Sequence, residues 1–175
     1  DFLSKEPLKG MEPVITGKDI YPFYVAEPSL FIRFERERFQ QCSPEHIYRS
    51  RGKLVYKFIS KKLIFALDEK GYVTLNSANI LIPFKDLPPA KAVMALFNSD
   101  LYQFIFQKKF SSLKVLKSHI EELPIPFLSD KESEEFTALS DCAAKDGLKA
   151  DLNSRVYKLF DISPADADYI SEEIR

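Results

Sequence analysis

Between Lys53 and Pro83 apolar residues recur with a period of two. Leu54, Tyr56 and Phe58 interleave with Val55, Lys57 and Ile59, and Leu63, Phe65 and Leu67 interleave with Ile64 and Ala66. Such spacing, rich in β-branched and aromatic residues, predicts three or four strands within about thirty residues. Asp68-Glu69-Lys70-Gly71 is a turn signal, and Gly71 is free to take positive φ and close a hairpin onto a return strand starting at Val73 and Leu75. Asn76-Ser77 interrupts that strand. Ala78, Ile80 and Ile82 resume it, and Pro83 ends the ladder because it brings no N–H.

The pattern upstream is shorter and more aromatic. Val14-Ile15 and Leu30 to Phe34 read as strands, and Tyr21-Pro22-Phe23-Tyr24-Val25 as extended chain, since Pro22 disfavours helix before it. Glu35 to Phe39 continues the second strand or turns into a short charged helix. Gln40 to Gly52 is polar and loop-like, with one helical turn capped at Ser43-Pro44-Glu45.

Downstream the period changes to that of helices. Val93, Met94, Leu96 and Phe97 share a face, then Leu101, Tyr102, Ile105 and Phe106 share another behind Ser99 as cap. Leu113 to Leu116 reads as a short strand. Ser129-Asp130-Lys131-Glu132 is a capping box opening a helix that ends at Gly147, and Ser163-Pro164 opens another. Phe65, Leu75, Ile80 and Phe104 are expected in the core.

Charge divides the chain where the pattern does. Residues 1–127 hold 19 Lys and Arg against 14 Asp and Glu, a balance of +5, whereas residues 128–175 hold 6 against 12, a balance of −6. This suggests a basic working body followed by an acidic helical tail, although a solvated helix surface explains the tail equally well. The first residue is Asp1 rather than Met, which suggests a fragment of a longer protein. No apolar run reaches the length of a membrane span, and no signal peptide is evident. Cys42 and Cys142 lack close-spaced partners and are read as reduced, intracellular thiols.

Catalytic and metal-binding patterns are missing. His46 and His119 have no Cys or His at ligand spacing, so no metal site is expected. There is no Gly-x-Ser-x-Gly, neither Cys has a nearby His, and the five glycines are too scattered to cradle phosphate. A binding module fits better than an enzyme, and no catalytic residue is assigned. Cations and amides do cluster: Arg33, Arg36, Arg38, Arg49, Arg51, Lys53, Lys57, Lys61 and Lys62, then Lys108, Lys109, Lys114 and Lys117, with Gln40, Gln41, Asn76 and Asn79 supplying amides. Phosphates need such cations and base edges need Arg forks or amides, but a solvated face carries the same residues.

Five segments together resemble a known family. They are Ile15-Thr16-Gly17-Lys18-Asp19-Ile20 with Tyr24; KLVYKFISKKLIFALDEKGYVTLNSANILIP; AVMALFNSDLYQFIFQKKF; LKVLKSHIEELPIP; and the closing VYKLFDISPADADYISEEI. The set resembles the TaqI-like C-terminal specificity domain, the target recognition domain of adenine-specific DNA methyltransferases and of fused restriction-modification enzymes. The likeness is good over residues 14–126 and looser in the tail. A recognition domain followed by helices also occurs in the specificity subunits of type I restriction systems.

The resemblance implies an α+β fold with a small, twisted, mostly antiparallel sheet, a packed helix pair and a C-terminal helical tail, divided as 1–127 and 128–175. It implies a cytoplasmic protein that grips double-stranded DNA while an upstream domain of the same chain binds S-adenosylmethionine, flips an adenine and methylates its exocyclic nitrogen. This chain lacks the Asn/Asp-Pro-Pro-Tyr/Phe motif: in Asp86-Leu87-Pro88-Pro89-Ala90 the acid is displaced and no aromatic follows. No cofactor is therefore expected to bind here.

The DNA contacts expected are Arg49, Arg51, Lys53, Lys57, Lys61, Lys62, Asn76, Lys114 and Lys117. The arginine forks suit guanine, and the lysines suit phosphate. Asn76 is either a base reader or a structural residue. The basic set is expected to face the duplex and the tail after Ser129 to face away. Two other readings stay open. One is a protein–protein docking module of a restriction-modification complex, working through the helices at 88–110 and 131–174. The other is a nuclease fragment, for which only Asp68 and Glu69 come near the required acids.

Overall fold

A computed structural model of the chain describes residues 2–147 and 149–174. In order these form β1 (Leu3–Ser4), β2 (Glu12–Ile15), β3 (Ile20–Tyr21), β4 (Tyr24–Val25), β5 (Leu30–Ile32), a 3-10 turn (Arg36–Arg38), α1 (Glu45–Arg49), β6 (Lys53–Lys57), β7 (Phe65–Asp68), β8 (Val73–Thr74) and β9 (Ala78–Leu81). Then come α2 (Ala90–Asn98), α3 (Asp100–Lys109), α4 (Lys117–Glu121), α5 (Asp130–Asp146), α6 (Ala150–Leu159) and α7 (Pro164–Glu173). This is the expected α+β arrangement, with mostly antiparallel strands before a helical half.

The alternation in β6 has a direct physical cause. β6 is the middle strand of an antiparallel sheet ordered β7-β6-β9, with Leu54 opposite Leu67 and Leu81, and Val55 opposite Ala66 and Ile80. Leu54 and Tyr56 enter the main core beneath the helices. Val55, on the other face, joins Ile15, Ile20, Ala66 and Ala78 in a smaller core roofed by the β3–β4 hairpin.

The hairpin expected across Asp68–Gly71 does not form. Gly71 does take a positive φ of 75°, and a Cβ there would sit 2.8 Å from the Arg49 carbonyl oxygen. The chain nevertheless leaves the sheet at this point. Val73 and Thr74 pair in parallel with Val14 and Ile15, completing a second sheet ordered β1-β5-β2-β8. β9 then returns on the far side of β6. The Asp68 carboxylate fixes this departure by accepting the N–H groups of Lys70, Gly71 and Tyr72 at 2.8–3.0 Å. A wound loop held by one side chain replaces the tight turn.

Helix signals were accurate at the ends. Ser129 and Glu132 form a reciprocal capping box, Gly147 closes α5 at φ 68°, and the Ser163 hydroxyl accepts the Asp166 N–H ahead of Pro164. Ser99 does stand at the start of α3, but its hydroxyl donates back to the Leu96 carbonyl at 2.6 Å instead of capping forward. The rings of Phe65, Phe97 and Tyr102 meet in series, tilted, at 5.0 and 5.6 Å between the sheet and the helix pair. Phe136, Ala143, Leu152, Val156 and Ile170 of the tail belong to that same core. The boundary expected between 127 and 128 is thus one of composition and charge, and one main core runs across it.

Of the expected core residues Phe65 is fully buried, whereas Leu75, Ile80 and Phe104 are half-buried. The Phe104 ring meets Tyr169 edge-on at 5.9 Å, and the Lys108 ammonium lies over it at 5.6 Å. Phe104→Ala is therefore expected to cost about 1–2 kcal/mol in urea unfolding, below the roughly 3–5 kcal/mol of a fully enclosed phenylalanine. A loss above that range would place the ring in the closed core.

Candidate nucleic-acid interface

β9 is the outer strand of its sheet, and the β8–β9 connection turns around its end. Between this edge and the segment Phe39–Tyr48 lies a cleft of about 730 Å³. Val73 to Ile80 form its floor, Gln40, Gln41 and Cys42 stand on one wall, and Tyr56, Phe58 and Lys117 on the other. The lining contains no carboxylate. Four other concavities formed by the described residues each carry at least one: Asp68 and Glu69, Glu173, Asp130 and Glu134, or Glu132 and Glu135. An acid-free hollow with four amides and a lysine suits anionic, hydrogen-bonding ligands.

Folding separates the expected DNA contacts into three groups and a lone Lys57. Asn76 and Lys117 line the cleft, and Lys114 is joined to its wall by the Ile59–Lys114 bridge and by an ammonium 5.5 Å from the Phe58 ring. Asn76 is exposed, whereas Asn79 is half-buried with its amide on the Tyr56 hydroxyl at 3.4 Å. Lys57 ends β6 on the opposite face, over the ring of Tyr21, which stacks on Tyr24.

Lys61 and Lys62 form the second group, in the loop before β7. The Lys62 ammonium reaches the Ile174 carbonyl, and Glu173 pairs with Lys108. The end of the acidic tail therefore lies beside this basic pair instead of facing away from it. The tail packs as α7 against α3, and the Ile174 carbonyl and the Glu173 carboxylate engage Lys62 and Lys108.

Arg49, Arg51 and Lys53 form the third group, at the start of β6. Arg51 is exposed in the turn after α1. Arg49 is engaged by Glu12 with both terminal nitrogens and by Glu45 through Nε at 3.2 Å, which raises its already high pKa; its fork ties α1 to β2. Lys53 must be removed from the DNA face. Its side chain is wholly buried, and its ammonium donates to Asp68 and to the carbonyls of Tyr48, Ser50 and Tyr72. Burial lowers its pKa and the Asp68 hydrogen bond opposes that shift. Strand alternation gave no warning, because a buried lysine is tolerated only when a remote partner neutralises it. The same pair encloses Asp68, one of the two acids that a nuclease centre would need.

A family profile described as the TaqI-like C-terminal specificity domain matches residues 12–125. The chain belongs to that family. No curated protein matches the chain. The specificity domain thus carries a DNA-recognition role of the kind found in methyltransferase-type proteins. The cleft floor, Lys117 and the wall at Gln40–Cys42 all fall within the matched stretch.

Sequence reasoning grouped the specificity domain's cations by proximity along the chain and so missed the cleft itself. Gln40 and Gln41 were visible as amides, but only the fold sets them across from Asn76. Arg36, whose Nε donates to the Ser43 carbonyl at 3.3 Å, braces that wall. Of the two histidines, His46 is exposed on α1 and His119 stacks on Phe110 at 4.2 Å.

Proposed function

We propose that this specificity domain reads duplex DNA through the cleft between β9 and the Phe39–Tyr48 segment, on behalf of an adenine-N6 DNA methyltransferase or a restriction-modification enzyme. The observation that carries the reading is the acid-free cleft lined with amides and Lys117, inside the family-matched stretch. In this reading Asn76, Gln40 and Gln41 meet base edges, where a side-chain amide suits adenine. Lys114 and Lys117 neutralise phosphates beside them and fix the register. Lys61, Lys62 and Arg51 extend the phosphate track to either side, and Lys57, on the opposite face, takes no part in it.

An upstream domain of the same protein supplies S-adenosylmethionine and the methyl transfer, and the specificity domain holds the duplex while the target adenine leaves the stack. Such a protein works in the bacterial cytoplasm. Among the described residues no helix is long and apolar enough to cross a membrane.

The test is binding of the 175-residue chain to a duplex across a salt series. Affinity is expected to be weak and to fall with salt at a slope of about −0.9 per phosphate contacted. Lys117→Ala should lower that slope by about 0.9 and weaken all sequences alike. Lys145→Ala, exposed on α5, should change neither. Equal effects of the two substitutions would remove the cleft from the DNA face.

A further inference from the structure

A second hollow, of about 910 Å³, has a different character. It runs between the Lys85–Pro89 loop, the Ile125–Leu128 segment and the outer face of α5, and shares no residue with the cleft. Phe127 on its edge is 93% exposed, and Phe84, at the head of the adjoining turn, is 79% exposed. These are the two most exposed large apolar side chains among the described residues. Exposed apolar surface rimmed by polar groups marks an interaction site. Asp86, Asp130, Glu134 and Asp141 supply the rim, Lys85 is the one cation in the lining, and Lys91 binds Asp141 at 2.7 Å. The uncompensated charge is negative, which repels nucleic acid and favours a cationic partner.

We propose that this groove docks an amphipathic helix of a partner protein, with its apolar stripe between Leu87 and Phe127 and its lysines or arginines against Asp130 and Glu134. A helix fits better than an added strand. Pro88, Pro89 and Pro126 have no N–H, so the groove walls give a poor ladder for β-pairing. Asp130, Glu134 and Asp141 recur along three turns of α5, about 16 Å, the span of three turns of a facing helix. The proline-rich walls also limit the entropy lost on binding. Whether the cleft reads DNA does not bear on this, since none of these residues takes part there.

The probe is a fluorescent 18-residue peptide of lysine and leucine with leucine on one helical face, and its counterpart with glutamate for lysine. Anisotropy should show the cationic peptide binding the 175-residue chain and the acidic one not binding. Phe127→Ser should weaken binding by about tenfold or more, as expected for losing an interface anchor. Asp130→Lys with Glu134→Lys should abolish binding of the cationic peptide and admit the acidic one. Asp168→Lys with Glu172→Lys makes the same charge change on α7 and should leave binding within about twofold, a change of only some 0.4 kcal/mol. All four positions are exposed or half-buried at the surface, and circular dichroism verifies folding. Failure of the cationic peptide to bind, insensitivity to Phe127→Ser, or an equal loss from the α7 pair would each overturn the proposal.

Discussion

Replacing Lys53 with alanine is expected to destabilise the domain by about 3–5 kcal/mol, the cost of leaving one member of a buried ion pair uncompensated. The Lys53 ammonium ties three carbonyls on two separate segments, those of Tyr48 and Ser50 at the end of α1 and that of Tyr72 before β8, to the Asp68 carboxylate. Asp68 in turn holds the N–H groups of Lys70, Gly71 and Tyr72. The pair therefore sets the crossover that carries the chain from the first sheet into the second, and with it the floor of the cleft. Lys53→Met with Asp68→Leu should recover part of the loss from Lys53→Ala, because no charge is then buried. Recovery should be incomplete, since three backbone donors lose their acceptor. Urea unfolding of the single and double variants measures the coupling. A single-variant loss under about 1 kcal/mol would mean that water reaches the pair.

Asn98 and Gln103 carry the second large effect. β7 lies at the outside of its sheet, where an unpaired edge would be exposed to the core. The Phe23 backbone bridges it at Ala66 and donates to the Phe65 carbonyl at 2.8 Å, and two buried amides, from the end of α2 and from α3, close the rest. Asn98 accepts the Phe65 N–H at 3.0 Å and donates to the Phe65 carbonyl at 2.8 Å. Gln103 accepts the Leu63 N–H at 2.9 Å and donates to the carbonyls of Leu63 and Phe97 at 3.0 and 2.9 Å. Each amide imitates a neighbouring strand. Asn98→Ala and Gln103→Ala are each expected to cost about 2–3 kcal/mol, because a buried N–H is left without a partner. Hydrogen exchange at the Phe65 and Leu63 amides should accelerate in step with that loss. Unchanged protection at both amides would show that the edge is covered by other means.

These two cases show where the sequence was legible. Local rules held where the cause was local. The capping box at Ser129 and Glu132, the left-handed Gly147 and the Ser163-Pro164 start all follow from neighbouring residues. The runs of β-branched and aromatic residues located β6, β7 and β9, and they are nearly continuous because both faces of the sheet are covered by apolar groups.

What escaped was long-range pairing. The turn chemistry of Asp68–Gly71 was sound and Gly71 has positive φ, yet the following strand joins β2, fifty-nine residues earlier counting from Val73 back to Val14. No residue in the turn encodes that choice; the competition for buried strand partners does. The candidate site divided in the same way. Asn76, Lys114 and Lys117 share the expected cation and amide chemistry and fall at one cleft, whereas Lys53 and Arg49 share it too and are held by Asp68 and by Glu12. A basic residue's sequence does not reveal whether a distant carboxylate already owns it.

The most direct test of DNA recognition by the cleft is selection of duplexes from a randomised pool by the 175-residue chain, unchanged and with Asn76→Ala or Gln41→Ala. The unchanged chain should enrich a defined sequence. Each amide substitution should relax the preference at one or two base pairs, by about 1–3 kcal/mol per position, while leaving the other positions as they were. Enrichment of the same sequence with unaltered preferences by both variants, or no enrichment by the unchanged chain, would contradict the assignment of the cleft as the reading surface.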